Sequence, residues 1–191
     1  MDANAIKFVS EALQSRLTTA FAAHDIPGTV YVGPLDNRDA DGASVVLFLY
    51  RLSVNADLRN DLHLVQPPDP DAQTIAHEGG LPLDLHYLLT AGTPQTGGEL
   101  DALRVLGFAM QALNDAPSLV GIPVQGETVR LTLDSISSEE MSRIWTLFPT
   151  SNYRTSVVYL ASPVWIDPAS WRGPAPLVIQ EPHRIWQARQ G

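Results

Sequence analysis

Apolar residues recur every three or four positions from Ile6 to Phe21, with Val9, Leu13 and Leu17 between them. That spacing predicts a helix capped by Asn4 and running to about Ala23. Ile26-Pro27-Gly28 should end it. A short strand at 29–32 and a polar loop at 36–42 follow. Residues 44–54 then carry a continuous apolar centre, the pattern of a strand buried on both faces. From 81 to 91 the pattern alternates. Leu81, Leu83, Leu85, Tyr87 and Leu89 share one face of the predicted strand, and Asp84 and His86 share the other. Helical spacing returns at 99–114, where Leu100, Leu103, Leu106, Met110 and Leu113 form the expected stripe and Pro117 lies just beyond. Residues 127–134 alternate again, with Val129, Leu131 and Leu133 expected inward. Ser137-Ser138-Glu139-Glu140 has the form of a capping box, in which the Ser137 hydroxyl accepts from an orphan amide and Glu140 reaches back. It opens a short helix through Trp145, expected in the core. Residues 155–166 read as the last long strand.

Between these elements, 55–80 shows no sustained period and carries Pro67, Pro68 and Pro70, so it reads as a long unstructured loop of functional or mobile character. Five prolines from Pro163 to Pro182 make the C-terminal segment an extended arm. The expected organisation is one domain over 1–168 and a Pro-rich arm over 169–191. Helices do not separate neighbouring strands regularly, which argues against a parallel doubly wound sheet. The order points to an α+β fold, a mixed or mainly antiparallel sheet with helices packed on it.

Composition narrows the classes. The 191 residues are 45% hydrophobic and 17% charged, enough to bury a core. A formal charge of −9 argues against nucleic-acid binding, which needs clustered Lys and Arg. There is no cysteine for a disulfide or a thiolate metal site. The N-terminal stretch lacks the basic start and apolar run of a signal peptide, and the longest apolar run, 45–50, is far too short to span a bilayer. A soluble protein without a classical secretion signal is expected.

Several stretches look like chemistry. Gly92 and Gly97 lie between a predicted strand and a predicted helix at the spacing of a phosphate-binding loop. The following places are Gly98 and Glu99, where that loop needs Lys and then Ser or Thr. A carboxylate there repels phosphate, so the loop reads as a connection. Asn37, Asp39, Asp41 and Gly42 match the first half of an EF-hand calcium loop, but the twelfth place, where a bidentate Glu belongs, is Phe48. His77-Glu78 and His86 lack the HExxH spacing. Asp84 and His86 could pair on their strand face, but no nucleophile accompanies them, and a structural or interface role is expected. No catalytic residue, cofactor site or metal ligand is assigned. Trp165, Trp171 and Trp186 lie in or near the arm, where large apolar groups suit docking on another chain as well as packing on their own.

The strand LPLDLHYLLTAGTP, the helix LRVLGFAMQALNDAP, the capping box and tryptophan of SSEEMSRIWTLF and the strand YRTSVVYLASPVWID, in that order, resemble one family. It is the cap, or tail-terminator, family of extracellular contractile injection systems, the phage-tail-like particles of the anti-feeding-prophage and virulence-cassette type. The resemblance covers about residues 5–168. It implies a tail-terminator-like fold and a structural role: a six-fold ring of copies that closes the end of the inner tube and anchors the end of the sheath. It brings no catalytic residues. It also implies assembly in the bacterial cytoplasm and release with the particle, with tube and sheath proteins as partners and neither nucleic acid nor membrane. Asp84, His86, Trp165, Trp171 and Trp186 are then interface candidates. Two other readings stand beside it: a tail-completion protein of a contractile phage, and a small hydrolase or ligand-binding domain using Asp84 and His86.

Overall fold

The computed structural model describes residues 1–26, 28–65, 75–77, 79–93 and 98–169, with the backbone alone over 75–77. Helix α1, Ala5–Ala23, is followed by strands β1, Val30–Val32, and β2, Val45–Val54. Two short strands, β3, His63–Val65, and β4, Ile75–His77, come next, then β5, Leu81–Ala91. Helix α2, Glu99–Asp115, leads to β6, Ser118–Val120, and β7, Thr128–Asp134. Helix α3, Ser138–Trp145, and β8, Ser156–Ile166, complete the described fold. Six strands form one sheet in the order β1-β2-β5-β8-β7-β6. β1 runs parallel to β2 and every other pairing is antiparallel, so the sheet is mixed and the fold α+β, as the pattern implied.

Each face of the sheet carries its own apolar layer. On the inner face Leu47, Leu85, Tyr87, Leu89, Leu131 and Ala161 pack under α1 and α2. On the outer face Val46, Leu88 and Val158 pack under Ile144 and Trp145 of α3, with Phe148 beyond it. The central strands are therefore buried on both sides, and Trp145 is in the core as expected. The Tyr87 hydroxyl lies 2.8 Å from Ser10 Oγ. Burial raises its pKa to about 12, with the Ser10 hydrogen bond pulling the other way.

The sheet curls until both of its edges reach α1. Gln14 Nε2 donates to the Val30 carbonyl of β1 at 2.9 Å, and Arg16 donates to the Ser118 carbonyl of β6 at 2.8 Å and to the Ala116 carbonyl. One helix thus satisfies carbonyls on two opposite edge strands, which blunts them as templates for further pairing.

Several expectations change. The 55–80 stretch is not wholly without regular structure, because β3 and β4 pair antiparallel within it. Asn4 makes no capping bond with its side chain; Asp2 instead accepts from the Asn4 amide at 2.7 Å. The buried stripe of α1 starts at Ala5 rather than Ile6. On α2 the buried stripe is Ala102, Leu106, Ala109 and Leu113, while Leu100 is 82% exposed and Leu103 lies outward too. Leu133 is also exposed, near the end of β7. The Ser137 hydroxyl accepts from the Glu140 amide at 3.1 Å, but the Glu140 carboxylate lies 3.8 Å from Arg51. The last strand, β8, ends at Ile166 as its pattern predicted, so Pro163 lies within the sheet.

Candidate interface residues and a charged cluster at the sheet base

Asp84 and His86 sit on the outer face of β5 but have different partners. Between Leu83 and Leu85 the register against β8 slips. The slip leaves Ser162 and Pro163 facing Asp84, a place where a residue without an N–H is tolerated. Asp84 Oδ1 accepts from Ser162 Oγ at 2.5 Å and from Asn55 Nδ2 at 3.0 Å. His86 Nδ1 lies 3.3 Å from Asp134 Oδ2. The two are therefore not a dyad. Asp84 ties the bulge to the end of β2, and the His86 ring lies beside Asp134 of β7.

Trp165, a docking candidate from sequence, is buried by its own chain. It is 7% exposed, and its ring stacks on that of His63 at 4.6 Å and 11°. Trp171 and Trp186 lie outside the described residues, as does Gly97 of the glycine-rich loop. Gly92 of that loop serves the backbone. Its amide donates to the Ser44 carbonyl at 2.9 Å, and a Cβ there would stand 1.9 Å from the Ala43 carbonyl oxygen. Close backbone approach, not phosphate, requires the glycine. In the loop that mimics a calcium site, Asn37 uses its side-chain oxygen to accept from the Asp39 amide at 3.1 Å, capping a 3-10 turn over Arg38–Ala40.

The most concentrated chemistry among the described residues was not singled out from sequence. His63 of β3 is 3% exposed. Its Nδ1 lies 2.6 Å from Asp167 Oδ1 and its Nε2 3.0 Å from Glu127 Oε1. The Met1 amine lies 2.7 Å from Asp167 Oδ2 and 3.5 Å from Glu127 Oε1. Glu127 stands just before β7 and Asp167 just after β8, and the Asp167 amide donates to the Met1 carbonyl at 2.7 Å. No motif could have announced this group, because its members come from segments far apart in the chain; only the topology assembles them.

Burial alone would lower the His63 pKa, but hydrogen bonds to Glu127 and Asp167 and their charges outweigh it and hold it above the ordinary histidine value. Burial would raise Glu127, and the hydrogen bond and charge of His63 with the Met1 amine bring it below the ordinary carboxylate value. For Asp167 burial also pushes upward, and the Met1 amine bond is the largest of the influences that bring it below its ordinary value. His63, Glu127 and Asp167 have the atom types a metal takes, within 4.8 Å of one another. Their geometry is that of an ion cluster instead. The two ring nitrogens address different carboxylates, and the amine already occupies the cation position beside both.

Large apolar side chains remain at the surface. Ile122 is 94% exposed on a 3-10 turn over Ile122–Val124, and Leu52, Val54 and Leu81 lie open at one end of the sheet. Among the described residues no helix is long and apolar enough to cross a membrane.

The Pvc16 N-terminal domain family matches residues 8–181. The chain belongs to that family. No curated protein sequence matches this Pvc16-type domain. Among solved structures, the domain resembles the sheath/tube terminator of an extracellular contractile injection system, PVC, in its extended state. The TM-score is 0.61 at 16% identity, over 97% of this chain and 65% of that one. It also resembles the tube-terminating cap of the anti-feeding prophage, with a TM-score of 0.56 at 16% identity, over 85% of this chain and 57% of the cap. The chain therefore spans about three fifths of the length of these two structures, and at this identity the likeness is one of fold.

Proposed function

We propose that this Pvc16-type domain is the cap, or tail terminator, of a phage-tail-like contractile injection particle, closing the end of the inner tube and anchoring the end of the sheath. The observation that carries the reading is the family match over residues 8–181, supported by the terminator fold. Copies of the chain form a ring, with six-fold symmetry, whose neighbours meet through two different surfaces. The ring covers the end on which another tube layer would stack, so tube length is set when capping outcompetes addition. Interface area repeated around a ring is sufficient for this, and no chemical step is involved. The charged cluster fits a structural role, since its ionic groups face one another.

The partners are other copies of this chain, the tube protein and the sheath protein. Gln14 and Arg16 each occupy one carbonyl of an edge strand, on β1 and β6, which favours ring contacts through side-chain surfaces and the segment after 168 over strand addition there. Within that reading 1–168 is the cap domain and 169–191, with Trp171 and Trp186, is an arm that reaches a neighbouring subunit or the sheath. The particle is assembled in the bacterial cytoplasm and released.

Deleting the gene and measuring particles by electron microscopy tests the role. Tubes of uncontrolled length, or particles without a stable sheath, are expected; normal particles would refute it. Truncation after Asp167 tests the arm separately, with loss of rings at unchanged folding as the expected outcome.

A further inference from the structure

We propose that His63 is an ionic peg: its doubly protonated ring pins the β3–β4 excursion to the ends of β7 and β8, and loss of one ring proton releases the excursion and loosens the Trp165–Asp167 end of the sheet.

The geometry of the ring carries the inference. Nδ1 and Nε2 each face a carboxylate oxygen, at 2.6 Å and 3.0 Å. A carboxylate only accepts, so the ring form that suits both contacts carries hydrogen on both nitrogens, and that form is the imidazolium. In a neutral ring one nitrogen would present its lone pair to a carboxylate at hydrogen-bond distance, in a site too enclosed for water to substitute freely. Among the described residues, the charges facing His63 include Glu127 at the head of β7, Asp167 at the foot of β8 and the Met1 amine before α1. The imidazolium charge offsets the two carboxylates, and removing the ring proton withdraws that offset. His77 stands opposite His63 in the β3–β4 register.

Mechanically, this ring holds β3 to the body of the fold. Trp165 lies flat against it at 4.6 Å, and Gly80 closes the third side, where an added Cβ would meet Trp165 at 3.1 Å and His63 at 3.3 Å. Releasing His63 thus removes the floor under Trp165 and one of the partners of Asp167 together. The sign follows from the raised folded pKa of His63. The peg is fully in place below the ordinary histidine pKa and is withdrawn as pH rises through the folded one.

Nitrogen-15 NMR of the full chain, labelled at histidine, reads the ring directly. The expected result is one histidine that carries hydrogen on both nitrogens until a titration above the value of a histidine in a short peptide, assigned by its loss in His63→Gln. Amide exchange of 63–65 and 75–77, corrected for intrinsic chemistry and referenced to β5, should accelerate about ten-fold or more across that titration. In His63→Gln, which keeps a planar polar group but cannot carry charge, the exchange should be fast at all pH values with no step. Glu127→Gln supplies a second variant and should lower the His63 titration. A His63 that titrates at or below the short-peptide value, or an excursion whose exchange is unchanged in His63→Gln, overturns the proposal.

Discussion

At the base of the sheet and on the surface of α3, this molecule makes two ion pairs of the same length. His63 Nδ1 stands 2.6 Å from Asp167, and Arg143 stands 2.6 Å from Glu139. The side chains of the first pair are 3% and 13% exposed, those of the second 77% and 75%. Distance cannot distinguish them; surroundings do. Around α3, water and salt solvate each charge with or without its partner, so forming the pair changes little. At the base, every partner lost leaves a charge enclosed among Trp165, Met1 and the strand ends with nothing equivalent to replace it. The same contact is thus nearly neutral in one region and structural in the other.

The largest effect should come from breaking the base. Asp167→Asn keeps the shape but removes the charge held by both His63 and the Met1 amine, and should cost about 2–3 kcal/mol in urea unfolding. Its pH signature is as informative as its size. His63, with its pKa raised, contributes below the ordinary value of 6.5 and loses that contribution as pH rises through the folded value. Glu127 and Asp167, with pKa values lowered from 4.5 and 3.8, contribute above those values and lose it as pH falls. Stability of the native chain should therefore sag on both sides, and Asp167→Asn should flatten both shoulders. A variant with unchanged pH profile would show that the base does not act as an ionic cluster.

Gly80→Ala probes the same region by volume rather than charge. The added methyl would press on Trp165 at 3.1 Å, on the His63 Cβ at 3.3 Å and on Asp167 Oδ1 at 3.4 Å. Those neighbours must yield by a few tenths of an ångström, and overpacking of this kind costs about 1–2 kcal/mol. Thermal unfolding measures it. Unaltered stability would mean that the Trp165–His63 stack slides freely, contrary to a rigid base.

The contrast also explains what could be read in the sequence. Elements that bury an apolar stripe were legible because their period is local: the Val9–Leu13–Leu17–Phe21 row of α1, the alternation of β5 and the Ser137 cap of α3 each lie within one stretch of chain. On α2 the period was legible and so were Leu106 and Leu113, but the first turn of the stripe was not. Leucine outranks alanine in hydrophobicity, yet Ala102 and Ala109 are buried while Leu100 and Leu103 are exposed, because tertiary packing and not residue hydrophobicity chooses the face. The base was illegible for a different reason. His63, Glu127, Asp167 and Met1 come from four separate segments, and nothing in 55–65 distinguishes His63 from a surface histidine until β7 and β8 bring carboxylates to both of its nitrogens. Of the interface candidates, Trp165 suited docking and packing on its own chain equally in sequence; the strand pairing Pro82↔Trp165 fixes its backbone and His63 covers its face.

Moving to α3, the capping bond should outweigh the ion pair beside it. Ser137 accepts from the Glu140 amide at 3.1 Å, and Ser137→Ala leaves that orphan donor to water at a cost of about 1 kcal/mol, read from urea unfolding. A loss below that of removing the neighbouring pair would show that the first turn of α3 is held by Ile144 and Trp145 packing alone.

Glu139→Gln should give the smallest change, about 0.3–0.5 kcal/mol, although the contact it removes is as short as the one between His63 and Asp167. Two features set the size. Glu139 and Arg143 are spaced i,i+4 with the acid N-terminal, the favourable orientation on a helix, and Glu139 also lies in the first turn, where its charge meets the positive end of the helix dipole. Both contributions pass through solvent, so the difference between the variant and the native chain should shrink as salt is raised from low concentration. The loss in Asp167→Asn should barely respond to the same salt, because its partners are enclosed. Equal salt responses in the two variants would mean that burial is not what separates these pairs, and would remove the physical basis for treating the base of the sheet as a fixed ionic joint.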